Sequence, residues 1–224
     1  MNKMIWALAF VVLCSGMAFA IGNATIDGTV SQSKYAGEAT AGDVTTEGGN
    51  VSTVDLTGTD STERWAGAYG DVSGTLVLAE AGDTEYMYNW TYDTGDGGEV
   101  CVSVAENFDW TALAAANLTD LSSAWNFGDN ADNVTETFDD GEQTFEIAGQ
   151  TISDVLLADT GGADYVTGAI NDGAGSAQNN FAFCVNITDE SSNYDGETVD
   201  YEVIMPTDDG VDDEETYYFY LELV

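Results

Sequence analysis

Large apolar residues fall at every second position in several stretches of this chain, and that period constrains its fold more than any other feature. A period of two places successive side chains on opposite faces of an extended strand, whereas a helix scatters them around its circumference. In residues 84–93, Tyr86, Tyr88, Trp90 and Tyr92 share one face, and Met87, Asn89 and Thr91 share the other. In residues 199–206, Val199, Tyr201, Val203 and Met205 oppose Asp200 and Glu202. Near the end of the chain Tyr217, Phe219, Leu221 and Leu223 line one face. Further strands fit residues 51–57, 71–79, 98–105, 133–138, 143–148, 151–158, 163–170 and 179–188. Turn residues stand between them: Gly95-Asp96-Gly97-Gly98, Asp140-Gly141, Asp172-Gly173 and Asp209-Gly210. The pattern predicts an all-β chain folded as an antiparallel β-sandwich. Its last two strands, separated by Thr207–Glu214, are expected to pair as a hairpin.

One stretch has a different period. Trp110, Ala114, Leu118, Leu121 and Trp125 recur at helical spacing, which predicts a short helical insertion over residues 109–125. Asp109 is the expected N-cap, and Thr119 could cap a second short helix.

The first twenty residues have the form of a signal peptide. Lys3 supplies the charge, Ile5 to Leu13 the apolar stretch, and Ala18-Phe19-Ala20 a cleavage site after Ala20. That apolar run is shorter than a membrane span needs, and the chain ends in a strand-like segment, so no transmembrane anchor is expected. Residues 21–49 are rich in Gly, Thr, Ser and Ala and read as a flexible arm, with one short strand at Ala24–Val30 able to add to a neighbour's sheet. Residues 50–224 read as a single sandwich domain.

Removing the leader leaves two cysteines, Cys101 and Cys184, which in an exported chain read as one disulfide. Closing a loop of more than eighty residues is worth about 4–5 kcal/mol in the chain-entropy model. Cys101 alternates with Val100 and Val102, and Cys184 with Phe183 and Val185, so both lie opposite the most apolar face of their strands. The bridge is therefore expected within one sheet, on its outer face. Six N-x-S/T sequons occur, at Asn23, Asn50, Asn89, Asn117, Asn133 and Asn186, where chance would supply roughly two or three. They point to N-glycosylation.

Charge then bounds the function. The chain has 41 Asp and Glu against 3 Lys and Arg, and no His. Only Lys34 and Arg64 remain after the leader, too few cations to displace counterions from a nucleic-acid backbone. Without His there is no Ser-His-Asp or Cys-His catalysis. The acids are dispersed rather than blocked, which fits a surface adapted to high salt. Acidic loops at Asp93–Glu99, Asp129–Asn133, Asp139–Glu142 and Asp209–Glu215 allow weak cation binding, but none matches a calcium-loop pattern. No cofactor is expected. Trp65, Trp90, Trp110 and Trp125 read first as core or capping residues.

Ser61 to Leu78 (STERWAGAYGDVSGTLVL) is the most distinctive segment. Arg64 there is expected to form a structural, bidentate pair with a carboxylate, with Trp65 and Tyr69 packed beside it. The run from Glu63 to Gly74, with the aromatic strand, the strand around Cys101 and the terminal aromatic strand, resembles secreted, halophilic archaeal cell-surface proteins in which an RWAG-Y-G-V-G segment opens a β-rich extracellular domain. The resemblance implies an envelope or extracellular-filament component whose partners are itself or other envelope proteins. No catalytic residue carries over from it. The function expected is that of an exported, non-catalytic structural protein at the cell surface. A carbohydrate-binding adhesin using exposed aromatics, or a secreted glycoside hydrolase using paired carboxylates, is the alternative.

Overall fold

The computed structural model describes residues 21–26, 29–35, 42–81, 85–161, 164–208 and 214–224. The expected leader over residues 1–20 and the Asp209-Gly210 turn lie outside the described residues, as do Asp212 and Asp213. The strands are β1 (Gly22–Asn23), β2 (Trp65–Gly70), β3 (Thr75–Leu78), β4 (Tyr88–Thr91), β5 (Gly98–Ser103), β6 (Ala114–Ala115), β7 (Glu142–Ile147), β8 (Gln150–Asp159), β9 (Val166–Asn171), β10 (Phe181–Asn186), β11 (Ser191–Ser192), β12 (Thr198–Val199), β13 (Tyr201–Pro206) and β14 (Tyr218–Leu223). Two short helices, α1 (Leu118–Ala124) and α2 (Val134–Thr137), interrupt them.

The expected fold class holds: the chain is all-β, antiparallel and sandwich-like. The main sheet runs in the order β1-β14-β5-β10-β9-β8-β7, with β6 added beside β9. A two-stranded ribbon of β2 and β13 packs across it, mainly over β10 and β9. The first core lies between these layers and contains Val102, Phe181, Phe183, Val185, Val203 and Met205, closed at one side by Trp125 and Phe138. Ile204 N–H donates to Thr167 Oγ1 at 3.0 Å, tying the ribbon to the sheet beneath it.

The expected hairpin between the last two strands is not formed. β13 pairs with β2, and β14 pairs with β5 and β1. Val203 and Met205 on one strand, and Phe219 and Leu221 on the other, belong to the same core. Placed side by side in one sheet, both sets would need a further layer to cover them; in opposite layers each contributes to covering the other's core. The connection from Thr207 to Tyr217 is long enough to cross the roughly 10 Å between layers.

The disulfide joins Cys101 to Cys184, which oppose each other on neighbouring strands β5 and β10. It lies within one sheet, as expected, but it is not on an outer, solvent-facing surface. Both cysteines are fully buried in a second core with Ile21, Phe145, Ile147, Ile152, Val155 and Tyr220. The cause is the β7–β8 hairpin. Its tip, Ala148-Gly149, takes positive φ at both residues, the geometry of a tight two-residue hairpin turn. β8 is ten residues long and pairs with β9 only through Leu157–Asp159, so its first half and β7 fold over the sheet's second face. Gly168 on β9 makes room: a Cβ there would lie 2.6 Å from Phe145 Cε2 and 2.8 Å from Val155 Cγ1.

Other expectations shift locally. Within the strand expected at 133–138, Val134–Thr137 form α2 instead, because Asn133 Oδ1 accepts the N–H groups of Thr135 and Glu136. Side-chain capping offers this backbone a partner that strand pairing would have to replace. Asp109 accepts from Thr111 in a turn, β6 follows, and the helix begins only at Leu118, capped by Asn117. The strand expected at 24–30 sits instead at Gly22–Asn23, with Ala24 N–H still donating to Phe219 O; residues 27–28 lie outside the described set. Residues 51–57 carry no strand and are exposed. No helix among the described residues is long and apolar enough to cross a membrane.

Candidate interaction surface

β3 and β4 form a hairpin that pairs with no other strand. Its register sets Leu76 opposite Trp90 and Leu78 opposite Tyr88, so these four share a face, while Val77 and Asn89 oppose each other on the reverse. Leu76 is half-buried, and the other residues of both strands are exposed. Tyr86 is 55% exposed, Tyr88 59% and Trp90 50%, and Met87 on the other side is 81% exposed. The rings of Tyr88 and Trp90 lie 4.8 Å apart, centroid to centroid. Scattered apolar residues on a surface need no explanation, but a contiguous aromatic face marks an interaction site.

The root of the hairpin is fixed. Tyr92 N–H donates to Gly74 O at 3.1 Å, and the buried Tyr92 ring carries its hydroxyl to Gly97 O. Burial, and then the charges of Asp200, Asp96, Glu99 and Asp93, push this hydroxyl up to about 12. It therefore remains a neutral donor at any physiological pH.

Below the hairpin lies a cleft of about 510 Å³, whose lining includes Asp71, Thr91, Asp93, Asp189, Glu190 and Asp200. Asp200 is its most enclosed acid. One of its carboxylate oxygens accepts Val72 N–H at 2.8 Å and the other Glu190 N–H at 3.2 Å, so it binds two loops together. Thr94 Oγ1 donates to Asp189. Among the described residues no group of three or more Asp, Glu or Cys side chains is arranged to hold a metal ion. What the surface offers is an aromatic platform beside hydroxyls and carboxylates. That combination stacks on apolar ring faces and accepts hydrogen bonds from hydroxyl groups.

A second exposed feature lies at the start of the described chain. Ile21 is buried in the second core, and β1 pairs with the edge strand β14. Residues 29–35 and 42–60 are exposed throughout and form no strand or helix. The described residues 29–35 and 42–60 that follow the docked strand are thus exposed chain outside any sheet.

The other singled-out residues scatter. Asn50, Asn89 and Asn117 are exposed, Asn133 and Asn186 are half-buried, and the side chain of Asn23 lies outside the described residues. Asn117 and Asn133 cap the two helices through Oδ1, and Asn133 Nδ2, the atom a glycan would take, donates to Asn130 O at 2.6 Å. Arg64 Nη1 donates to Asn126 O at 3.4 Å, and its guanidinium lies 5.4 Å from the Phe127 ring centroid. Trp65 packs against Phe127 and Phe138, but Tyr69 packs against Tyr194 instead of beside Arg64. Trp125 is fully buried and Trp65 and Trp110 are partly so; Trp90 is the exception to the reading of the tryptophans as core. The signal for it was Asn89: a sequon opposite an aromatic face implies solvent on that side, and short Gly-flanked strands offer little to cover the other. Compared with family models, with curated proteins and with solved structures, the chain matches none.

Proposed function

We propose that this chain is an exported, N-glycosylated, non-catalytic component of the surface of a halophilic archaeon, and that copies assemble through the N-terminal strand. The observation that carries this reading is β1 on the edge of β14, separated from β2 by the exposed stretch of residues 42–60. An open sheet edge accepts a strand from any chain that brings the right side chains. A tether of this length lets the strand dock on its own domain or on a neighbour's, and each domain that receives a neighbour's strand gives its own to the next. Head-to-tail exchange of that kind makes open filaments. Dispersed acids fit a concentrated-salt exterior, and the exposed sequons fit a glycan coat. Deleting residues 21–49 and imaging the cell surface tests this: loss of the assembled structure is the expected result, and unchanged assembly removes the arm from the mechanism.

The aromatic hairpin favours a second reading, a carbohydrate-binding adhesin. Tyr88 and Trp90 are exposed and pack ring to ring, Tyr86 is exposed just before them, and Thr91 and Tyr92 that follow line the acidic cleft. Base-like stacking of a sugar ring on Trp90 would carry most of the affinity. Trp90→Ala is then expected to weaken retention on surface polysaccharide at least tenfold while assembly is unchanged; the opposite pair of outcomes makes the hairpin an assembly contact.

A further inference from the structure

The β7–β8 hairpin that roofs the disulfide is held at its tip by one member of a buried carboxyl pair. Glu99 on β5 and Glu222 on β14 are direct cross-strand partners, so their side chains leave the sheet on the same face. Cys101 and Tyr220, two residues along the same strands, share that face and belong to the second core. Both acids are buried. Glu222 Oε2 accepts Ala148 N–H at 2.7 Å, and Ala148 is one of the two residues of the hairpin turn. The sheet beneath is fixed. β14 pairs with β5 over Tyr218–Leu223, and Gly98 brings the strands close, since a Cβ there would fall 2.2 Å from Glu222 O.

Glu99 Oε2 is enclosed and has no hydrogen-bond partner among the described residues. A carboxylate oxygen shut away from water and from any donor is costly, so the closed arrangement suits a neutral Glu99 carboxyl. Burial first, then the carboxylates of Glu222 and Glu146, raise Glu99 above the ordinary range. Burial also raises Glu222, against the opposing effect of its bond from Ala148. The three acids are divided between the layers: Glu99 and Glu222 stand on the sheet, and Glu146 stands on β7, two residues before Ala148. Charge on Glu99 therefore acts on the carboxylate that grips the tip and on the hairpin itself. The remaining neighbours are uncharged. Asn186 opposes Glu99 from β10, and Ile21 joins the same core ahead of β1. Tyr220 is the further ionisable side chain on this face of β14; its hydroxyl is raised by burial, donates to Ala105 O and accepts Phe108 N–H.

We propose that Glu99 and Glu222 form a pH-sensitive latch on the disulfide: with Glu99 neutral, Glu222 holds the hairpin tip and Cys101–Cys184 stays enclosed, and ionisation of Glu99 frees the tip and admits solvent to the bridge. The step is the loss of one proton from the Glu99 carboxyl to water. The resulting charge is relieved most cheaply on the side of the hairpin. Separating β5 from β14 would break a six-pair ladder, whereas lifting the tip releases the Ala148 bond and lets water reach both carboxylates. Phe145, Ile147 and Ile152, which pack in the core with the cysteines, lie on the strands that would lift. The same movement that hydrates the acids thus uncovers the sulfur atoms.

The test reads how fast a water-soluble phosphine cleaves Cys101–Cys184 in the full chain, in concentrated salt, from pH 6 to pH 9. Alkylation and mass spectrometry of the two cysteine peptides give the rate. Dividing by the rate for the same chain unfolded in guanidinium removes the reductant's own pH dependence. Glu99 titrates at about 8 when enclosed and near ~4.3 when exposed, so the open fraction, and with it the normalised rate, should rise about tenfold over this interval. Glu99→Gln, neutral throughout, should abolish the rise. A normalised rate that is flat with pH overturns the proposal, and so does a rise that survives Glu99→Gln. If that variant does not fold, hydrogen exchange in the native chain decides. The Ala148 amide should lose about tenfold in protection between pH 6 and pH 9 while the paired amides of β5 and β10 keep theirs. Unchanged protection at Ala148 overturns the latch, and so does an equal loss in all three elements, which would be global unfolding.

Discussion

Glu99 is the residue whose surroundings most disfavour its charge. Burial first, then the carboxylates of Glu222 and Glu146, push it up to about 8. In an unfolded chain a glutamate titrates near ~4.3, so between these values the folded state keeps a proton that the unfolded state has lost. The stability this proton contributes is complete below about pH 4 and is lost as pH rises to about 8, a change on the order of a few kcal/mol. Urea midpoints should therefore fall between pH 5 and pH 8. Glu99→Gln, neutral throughout, should flatten that slope. A slope unchanged by the substitution would assign it to other groups. The other buried acids are placed differently: Asp200 and Glu202 accept backbone N–H groups, and their carboxylates hold loops. Alternation placed Asp200 and Glu202 opposite the apolar face of their strand, and the same period puts Glu99 on the face of Cys101. It did not show that loops and a hairpin enclose them.

At the scale of elements, the period-two signal located most strands well. β5, β7, β8, β10, β13 and β14 lie within or one residue beyond the stretches it marked. It failed where side-chain capping competed, at Asn133, and where nothing packs on an alternating run, at residues 51–57. The helical insertion was legible as a buried stripe, because Leu121 and Trp125 are core residues, although its start at Asn117 was not. Which elements cover which face depended on contacts distant in sequence. Gly168 shows this, since it reads as an ordinary strand glycine until Phe145 is set against it. Gly168→Ala should cost about 1–3 kcal/mol by overpacking, read from the shift in urea midpoint. Adding Phe145→Leu should recover part of the loss; full additivity of the two would mean the ring and the new methyl never meet.

For the whole molecule, electrostatics set the conditions under which these elements stay together. Two bases against 41 acids in the chain after Ala20 leave a self-repulsion that only ions in the solvent can screen. The Debye length falls from about 10 Å at 0.1 M salt to about 3 Å at 1 M, so the melting temperature should climb steeply over that range. Sodium chloride and tetramethylammonium chloride at equal ionic strength should stabilise alike. A strong preference for one cation would point instead to specific ion sites.

The sequence alone determined the fold class, the cysteine partnership and the dominance of acids, because each follows from local period, residue type or composition. Only the tertiary structure decided which sheet each strand joins, that the disulfide is roofed by a hairpin, that Tyr88 and Trp90 stay exposed, and that Glu99 and Glu222 are enclosed as cross-strand partners. Those outcomes depend on how much apolar surface each face presents to elements far away in the chain. A strand's own alternation states that it has two faces, and leaves to its distant neighbours which of them is covered.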